Sequence, residues 1–371
     1  MKRQQILFCT DGIYPHSIGG MQRHSALLVE ELAHMNVVDI TVIHPHKNNV
    51  FDPSLGIKEI ALDFTSGGLY LKGCYKYSKL VYSQIKILNP DVIYSQGFSV
   101  WYGIRKIGSK VIINPHGLEP FQTLTFIDGL KTMMMRFIER YQFNSAAKVI
   151  SLGGRLTEIL NKKVPSPKRK IAVIPNAVSL IDQQIRSFDK EKLQLLFVGR
   201  FAFNKGINIL MEAISQLNTE GYKDRLHFNI VGKGPLYDEY IQKYNFPNVT
   251  FVGFADDETL AKQYRENDLF VFPTLFEGMP TVVLEAMVTG MPIVVTDTGA
   301  TRELVDQSNG FVVETNNVRA FKWGIQSFYQ LNNEQRTALS NSSYTKVKEK
   351  FTWKHVAEKH LELFETFKSA K

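Results

Sequence analysis

Short apolar runs recur along the chain, separated by stretches in which apolar residues return every three or four positions. In the first half the runs are QILFCT (5–10), DITVIHP (39–45), DVIYSQ (91–96), KVIINPHG (110–117), AKVISLG (147–153) and IAVIPNA (171–177). Runs this short and this continuously apolar read as strands buried on both faces, and intervening stretches such as MQRHSALLVEELAHM read as helices. Over 179–192 the pattern lapses into the polar, charged SLIDQQIRSFDKEK, which reads as a linker. It then restarts with LQLLFVGR (193–200), LHFNIVGKG (226–234), VTFVGF (249–254), DLFVFPT (268–274), MPIVVTDTG (291–299) and GFVVET (310–315). Strands alternating with helices, twice over, predict two doubly wound α/β domains with parallel sheets, 1–178 and 193–351. The tail FTWKHVAEKHLELFETF places Trp353, Val356, Ala357, His360 or Leu361, and Phe364 at helical spacing. Ligands of such folds bind at the C-terminal ends of strands, so a cleft between the two domains is the expected site.

Composition narrows the class. The 371 residues, 44% hydrophobic and 22% charged, suit two globular cores. Two cysteines, Cys9 and Cys74, support neither a disulfide framework nor a zinc site and suit a reducing compartment. The apolar run of MKRQQILFCTDG stops at Thr10 and Asp11, short of a signal peptide, and no run of about 18 apolar residues occurs. The expected location is therefore the cytoplasm. Charge is uneven: residues 1–190 hold 24 lysines and arginines against 14 acidic residues, and 191–371 hold 20 against 22. A basic half beside a near-neutral half points to a division of labour.

The chemistry concentrates at the ends of predicted strands. In FPTLFEGMPTVVLEAM, Gly278 permits an unusual turn and Pro280 fits the first turn of a helix. Glu277 then lies in the loop and Glu285 about one turn into the helix. The N–H groups near 281–283 suit a phosphate. Two carboxylates flanking a phosphate cradle would repel it unless they bind hydroxyls, and a nucleotide sugar carries hydroxyls on both sides of its diphosphate. Favourable interaction with the helix dipole accounts for Glu277 but not for Glu285. In FVGRFAFNKG, Arg200 and Lys205 follow a strand and offer a fork and a point charge to phosphate oxygens. Gly19 and Gly20 open a helix after the first strand and let backbone approach a ligand. His116, in NPHG, ends another strand, where a structural donor and a catalytic imidazole are both open readings.

Taken together these motifs resemble the retaining glycosyltransferases of family 4, which have the GT-B fold: two Rossmann-like domains facing each other across a cleft. The resemblance rests on the E-x₇-E pattern of Glu277 and Glu285 in its wider context, with FVGRFAFNKG, NPHG, VIPNAV and IVGKGP, and runs from the first strand to the final helix. It implies that Arg200 and Lys205 bind the donor diphosphate, Glu285 the ribose and Glu277 the donor sugar. His116 would face that sugar, Gly19 and Gly20 would lie near the diphosphate and acceptor, and Phe254 would lie by the base. Gly278, Met279, Pro280 and Thr281 complete the implied donor site, and His116, Glu277, Arg200 and Lys205 the catalytic set. It also implies that the C-terminal helix, 352–371, joins the first domain. One departure is that many members carry a glycine and a nearby acid where this chain has Ala177 in VIPNAVSL, for which a structural consequence is expected.

No D-x-D triplet occurs, so no metal or other cofactor is expected, and cationic side chains would stabilise the leaving diphosphate. The expected reaction is transfer of a hexose or N-acetylhexosamine from a UDP-sugar to a saccharide acceptor linked to a lipid diphosphate. Its expected setting is bacterial surface polysaccharide or lipopolysaccharide assembly. In YLKGCYKYSKLVYSQIKIL, Lys72, Lys76, Lys79 and Lys86 form one stripe and Tyr70, Cys74, Tyr77, Val81, Ile85 and Leu88 another. Such a helix packs its apolar stripe in a core, and its lysines face either water or anionic lipid headgroups. An anionic membrane surface, on the inner face of the cytoplasmic membrane, is thus an expected partner, and nothing in the sequence reads nucleic acid. Three rivals are a dinucleotide-dependent oxidoreductase, a nucleotide-sugar epimerase and an inactive sugar-nucleotide-binding protein. Gly232-Lys-Gly234 lacks the third glycine an oxidoreductase needs.

Overall fold

A computed structural model describes residues 3–17, 19–65, 67–123, 126–163 and 170–368. The chain divides into two compact units, Met1–Ala177 with Trp353–Lys371, and Val178–Thr352.

The first unit is a parallel seven-stranded sheet. Its strands are β1 (Gln5–Cys9), β2 (Asp39–His44), β3 (Lys58–Ala61), β4 (Val92–Gln96), β5 (Val111–Asn114), β6 (Lys148–Ser151) and β7 (Ile171–Val173). They lie in the order β3-β2-β1-β4-β5-β6-β7. The central strands are continuous apolar runs because helices cover both faces of the sheet. Phe8, Val42, Tyr94, Ile112 and Ile150 from successive strands build one core with Leu28 and Leu32 of the helix Gly20–Met35. The final helix, Trp353–Glu365, closes that core with Val356, Ala357, Leu363 and Phe364. His360, and not Leu361, is fully buried on its inner face. Gln4 Nε2 donates to the Phe364 carbonyl at 2.9 Å, tying this helix to the start of β1. Ala177 is buried in the same core, at 5% exposure. β3 is absent from the apolar pattern: KEIA is a partly exposed edge strand, so its side chains lack the signature of burial.

The second unit is a parallel six-stranded sheet. Its strands are β8 (Leu193–Val198), β9 (Leu226–Val231), β10 (Val249–Gly253), β11 (Leu269–Phe272), β12 (Ile293–Thr296) and β13 (Gly310–Val313). Their order is β10-β9-β8-β11-β12-β13. β8 pairs with β11 through Leu195–Leu269 and Leu196–Phe270. The stretch 179–192, read as a linker, forms neither helix nor strand and is fastened to this unit. Arg186 binds the carbonyls of Tyr264, Asn267 and Thr289, and Tyr344 Oη donates to the Ile181 carbonyl. Buried arginine–carbonyl bonds of this kind are invisible in a polar sequence pattern.

In both sheets successive connections run outward in opposite directions from the middle. Crevices therefore open at the C-terminal ends of β1 and β4, and of β8 and β11.

Candidate active site

In the second unit the loops at the β8/β11 crevice are locked together by their backbones. Beyond β8, Gly199 N–H donates to the Val231 carbonyl and Phe201 N–H to the Lys233 carbonyl, at 3.0 and 3.1 Å. Gly232 has φ 128°, and a Cβ on it would run into the Gly199 carbonyl. Between these bonds Arg200 is exposed, and among the described residues no acidic side chain pairs with it. A short 3₁₀ turn, Phe203–Lys205, then ends at Gly206, whose φ of 69° starts the helix Ile207–Thr219. A Cβ on Gly206 would fall on the Pro273 carbonyl oxygen, so only glycine allows this approach. The Asn204 carbonyl accepts from Leu275 N–H at 2.9 Å and from Thr274 Oγ1 at 3.0 Å.

The turn that carries Lys205 is thereby pinned to the loop that carries Glu277. Lys205 Nζ and Glu277 Oε1 form an ion pair, with side chains 25% and 15% exposed. Thr274 Oγ1 lies 3.4 Å from the same carboxylate oxygen. The Gly278 carbonyl accepts Ala300 N–H at 2.8 Å, and Gly299, with φ 54°, leaves no room for a Cβ beneath it. Met279 is buried. Pro280 does not enter the first turn as the sequence suggested. Its extended ψ of 114° makes it the N-cap, its carbonyl accepts Val283 N–H, and the helix runs Thr281–Val288. Glu285, in the second turn of this helix, is half-buried and accepts a hydrogen bond from Tyr264 Oη at 2.8 Å. Burial, reinforced by that carboxylate, holds the Tyr264 phenol well above its ordinary pKa, so it remains a donor. Phe254 follows β10 and is 80% exposed. The structure thus brings Lys205 to Glu277, and sets Arg200 and Phe254 after β8 and β10, the two strands that flank β9.

In the first unit, Gly19 is the extended N-cap of the helix Gly20–Met35, and both glycines are exposed. Ile18 lies outside the described residues. His116 has φ 57°, held by its own N–H on Asn114 Oδ1 at 3.0 Å. Its Nε2 is 2.9 Å from Gln96 Nε2, and Ser25 Oγ donates to the other end of that amide. The amide therefore donates to His116 Nε2, which leaves the imidazole proton on Nδ1. The His24 ring meets His116 edge-on at 4.8 Å, and Tyr94 Oη links Asn114 Nδ2 (2.8 Å) to His360 Nε2 (3.1 Å). Burial pulls His116 down to about 3 and His360 to about 4, and lowers His24 as well. All three are neutral at physiological pH. At the β1/β4 crevice, the Asp11 carboxyl lies against Gly97, whose φ is 55°, and burial raises its pKa to about 6. Its Oδ1 is buried without a hydrogen-bond partner.

Two family models match the chain: Glycosyltransferase Family 4 over residues 18–181 and Glycosyl transferases group 1 over residues 192–330. The chain belongs to the family 4 type of glycosyltransferases. Over 92% of its length, this glycosyltransferase is 25% identical to an uncharacterized glycosyltransferase of Methanocaldococcus jannaschii, of which it covers 92%. It is 26% identical over 51% of its length to the UDP-Gal:α-D-GlcNAc-diphosphoundecaprenol α-1,3-galactosyltransferase of Escherichia coli, covering 53% of that protein. Other curated relatives are matched over 42% to 66% of their own length. The sucrose-phosphate synthase of Thermosynechococcus elongatus superposes over the whole of both chains with a TM-score of 0.79 at 19% identity, which shows the shared GT-B fold.

Several residues of the glycosyltransferase escaped the sequence reading. Tyr264 sits in the helix Asp257–Glu266, far in sequence from Glu285, and no local pattern marks it. Gln96, Ser25 and Asp11 hold or flank His116 and the β1 end. Their only sequence signal is polarity at the end of a buried strand or inside an apolar helix face. Among the described residues no cluster of three or more His, Cys, Asp or Glu could hold a metal ion, and no helix is long and apolar enough to cross a membrane.

Proposed function

We propose that this glycosyltransferase moves a hexose or N-acetylhexosamine from a UDP-sugar to a saccharide carried on a lipid diphosphate, in the assembly of a bacterial surface polysaccharide. The anomeric configuration is retained and no metal is required. The observation that carries this reading is the pinning of Lys205 against Glu277, in the segment after β8 that also carries Arg200, at the crevice where a doubly wound sheet binds its ligand. Negative charge grows on the β-phosphate as the glycosidic bond breaks. Arg200, Lys205 and the first N–H groups of the helix Thr281–Val288 stabilise it in place of a metal. Glu277 binds sugar hydroxyls, and Glu285, steadied by Tyr264, binds the ribose. Met279 and Gly278 shape the loop between them, and Phe254 lies against the base. In the first unit His116 offers its Nδ1–H to the sugar as a neutral donor, and Gly19–Gly20 admit the substrate to the backbone. Support for the UDP donor and the lipid-diphosphate acceptor comes from the E. coli relative, a UDP-Gal:α-D-GlcNAc-diphosphoundecaprenol α-1,3-galactosyltransferase. The basic first half supports an anionic membrane surface as partner, on the cytoplasmic side.

The test is incubation with a panel of UDP-hexoses and a lipid-diphosphate-linked N-acetylglucosamine, with and without EDTA. Mass spectrometry detects the product and NMR its anomeric configuration. A product of retained configuration that forms in EDTA is expected. Inversion, dependence on a divalent ion, or mere epimerisation of the nucleotide sugar would each overturn the corresponding part of the reading.

A further inference from the structure

The first unit carries an apolar groove of about 620 Å³, within the size range of small-molecule sites. Tyr75, Trp101, Tyr102, Phe137, Ile138 and Tyr141 are among the side chains that wall it. It lies between the helix Tyr70–Leu88, the segment after β4 and the helix Met133–Ser145. Two of its lining residues, Met134 and Phe137, are 59% and 71% exposed, and nearby in sequence Ile127, Leu130 and Met133 are each more than half exposed. Exposed large apolar side chains gathered at the mouth of a groove mark a binding surface.

Among the described residues, the charged side chains placed against the groove's rings are cations. Lys72 lines the groove, Lys79 Nζ lies 5.9 Å from the Tyr102 ring, and the Arg105 guanidinium lies 5.1 Å from the Tyr141 ring. The helix Tyr70–Leu88 holds four lysines and no acid. The one acid of the helix Met133–Ser145, Glu139, is turned inward, and its burial raises its pKa to about 8. A hydrocarbon slot ringed by cations complements a single chain that ends in phosphate.

We propose that this groove binds the hydrocarbon chain of the lipid-linked acceptor, with the acceptor's phosphate on Lys72, Lys79 and Arg105. The assignment rests on the lipid-diphosphate acceptor proposed above and names the site that holds its lipid.

The experiment is calorimetric titration of the full chain with dodecyl phosphate and octyl phosphate, each below its micellar concentration, with inorganic phosphate as the chain-free control. Full burial of four methylenes at about 0.8 kcal/mol each is worth about two-hundredfold in affinity, so dodecyl phosphate should bind one per chain and at least tenfold more tightly than octyl phosphate. Met134→Asp and Phe137→Asp alter exposed side chains and should abolish that binding. Ile185→Asp, in the second unit and 97% exposed, should not. Equal binding of both chain lengths, no binding, or binding unchanged in the two groove variants would overturn the proposal. Binding to phosphatidylglycerol vesicles without binding of monomeric dodecyl phosphate would also overturn it, making this face a bilayer dock instead. UDP titration of the same variants keeps the two readings separate. UDP bound normally with no chain binding refutes the groove alone, whereas failure to bind UDP refutes the donor site.

Discussion

Replacing Lys205 with alanine tests the leaving-group role most sharply. The variant removes a cation held in place by Gly206 and by the bonds of Asn204 to the Glu277 loop. If Lys205 faces the departing β-phosphate, its loss costs about 2.7–4 kcal/mol of transition-state stabilisation, or a hundred- to a thousandfold in turnover. A competing explanation must be removed. Glu277, only 15% exposed, would lose its ion pair with Lys205, and an ion pair between the surface and interior limits is worth roughly 1–3 kcal/mol. That loss alone could mimic a modest catalytic defect through charge repulsion with the diphosphate. Comparing the double variant Lys205→Ala/Glu277→Gln with Glu277→Gln alone separates the two. Neither carries the Glu277 charge, and only the double variant leaves the diphosphate without its cation, so its turnover should lie at least a hundredfold below that of Glu277→Gln. The assay is UDP release at saturating donor, with the thermal midpoint as a folding control. Turnover of Lys205→Ala within tenfold of wild type, or of the double variant within tenfold of Glu277→Gln, would refute the reasoning.

Tyr264→Phe removes the hydrogen bond to Glu285 while preserving the packed ring. A bond to a charged group is worth about 1.5–3 kcal/mol, so UDP affinity should fall by roughly tenfold or more, with little change in kcat. A drop in kcat at unchanged affinity would contradict the ribose assignment. The buried histidines predict a pH dependence. His360 titrates near 6.5 when unfolded and near 4 when folded, so its neutral burial contributes fully above about pH 6.5. That contribution is lost as pH falls towards 4, because the unfolded chain takes up its proton first. Asp11 and Glu139, raised to about 6 and about 8, act in the opposite direction, so the comparison must be differential. The stability difference between wild type and His360→Gln, from urea unfolding, should shrink between pH 7.5 and pH 4.5. A constant difference would mean that His360 is not held neutral.

The legible parts of this molecule were those where one face or one spacing carries the signal. Twelve of the strands are continuous apolar runs, and their alternation with helices marks both sheets; the exposed edge strand Lys58–Ala61 has no such signature. Glu277, Glu285, Arg200 and Lys205 stood out because they cluster just past strand ends. What remained hidden depends on long-range pairing. The carboxylate of Glu285 meets Tyr264 across 21 residues, and His116 meets Gln96 across 20. Arg186 fastens the polar 179–192 stretch to carbonyls some 80 to 100 residues away. The position of Pro280 was missed by one residue, since the choice between N-cap and first turn turns on a single ψ angle.

The central claim is that the loops at the β8/β11 crevice hold a nucleoside diphosphate without a metal. Its most direct measurement is the thermal midpoint with UDP, GDP and ADP, each with and without EDTA, in the wild type and in Arg200→Ala. A nucleotide at a hundred times its dissociation constant adds about 2.7 kcal/mol to folded-state stability. The account predicts that UDP raises the midpoint, that EDTA leaves the rise intact and that Arg200→Ala removes it. A rise that EDTA abolishes, or one that survives the loss of Arg200, would contradict it.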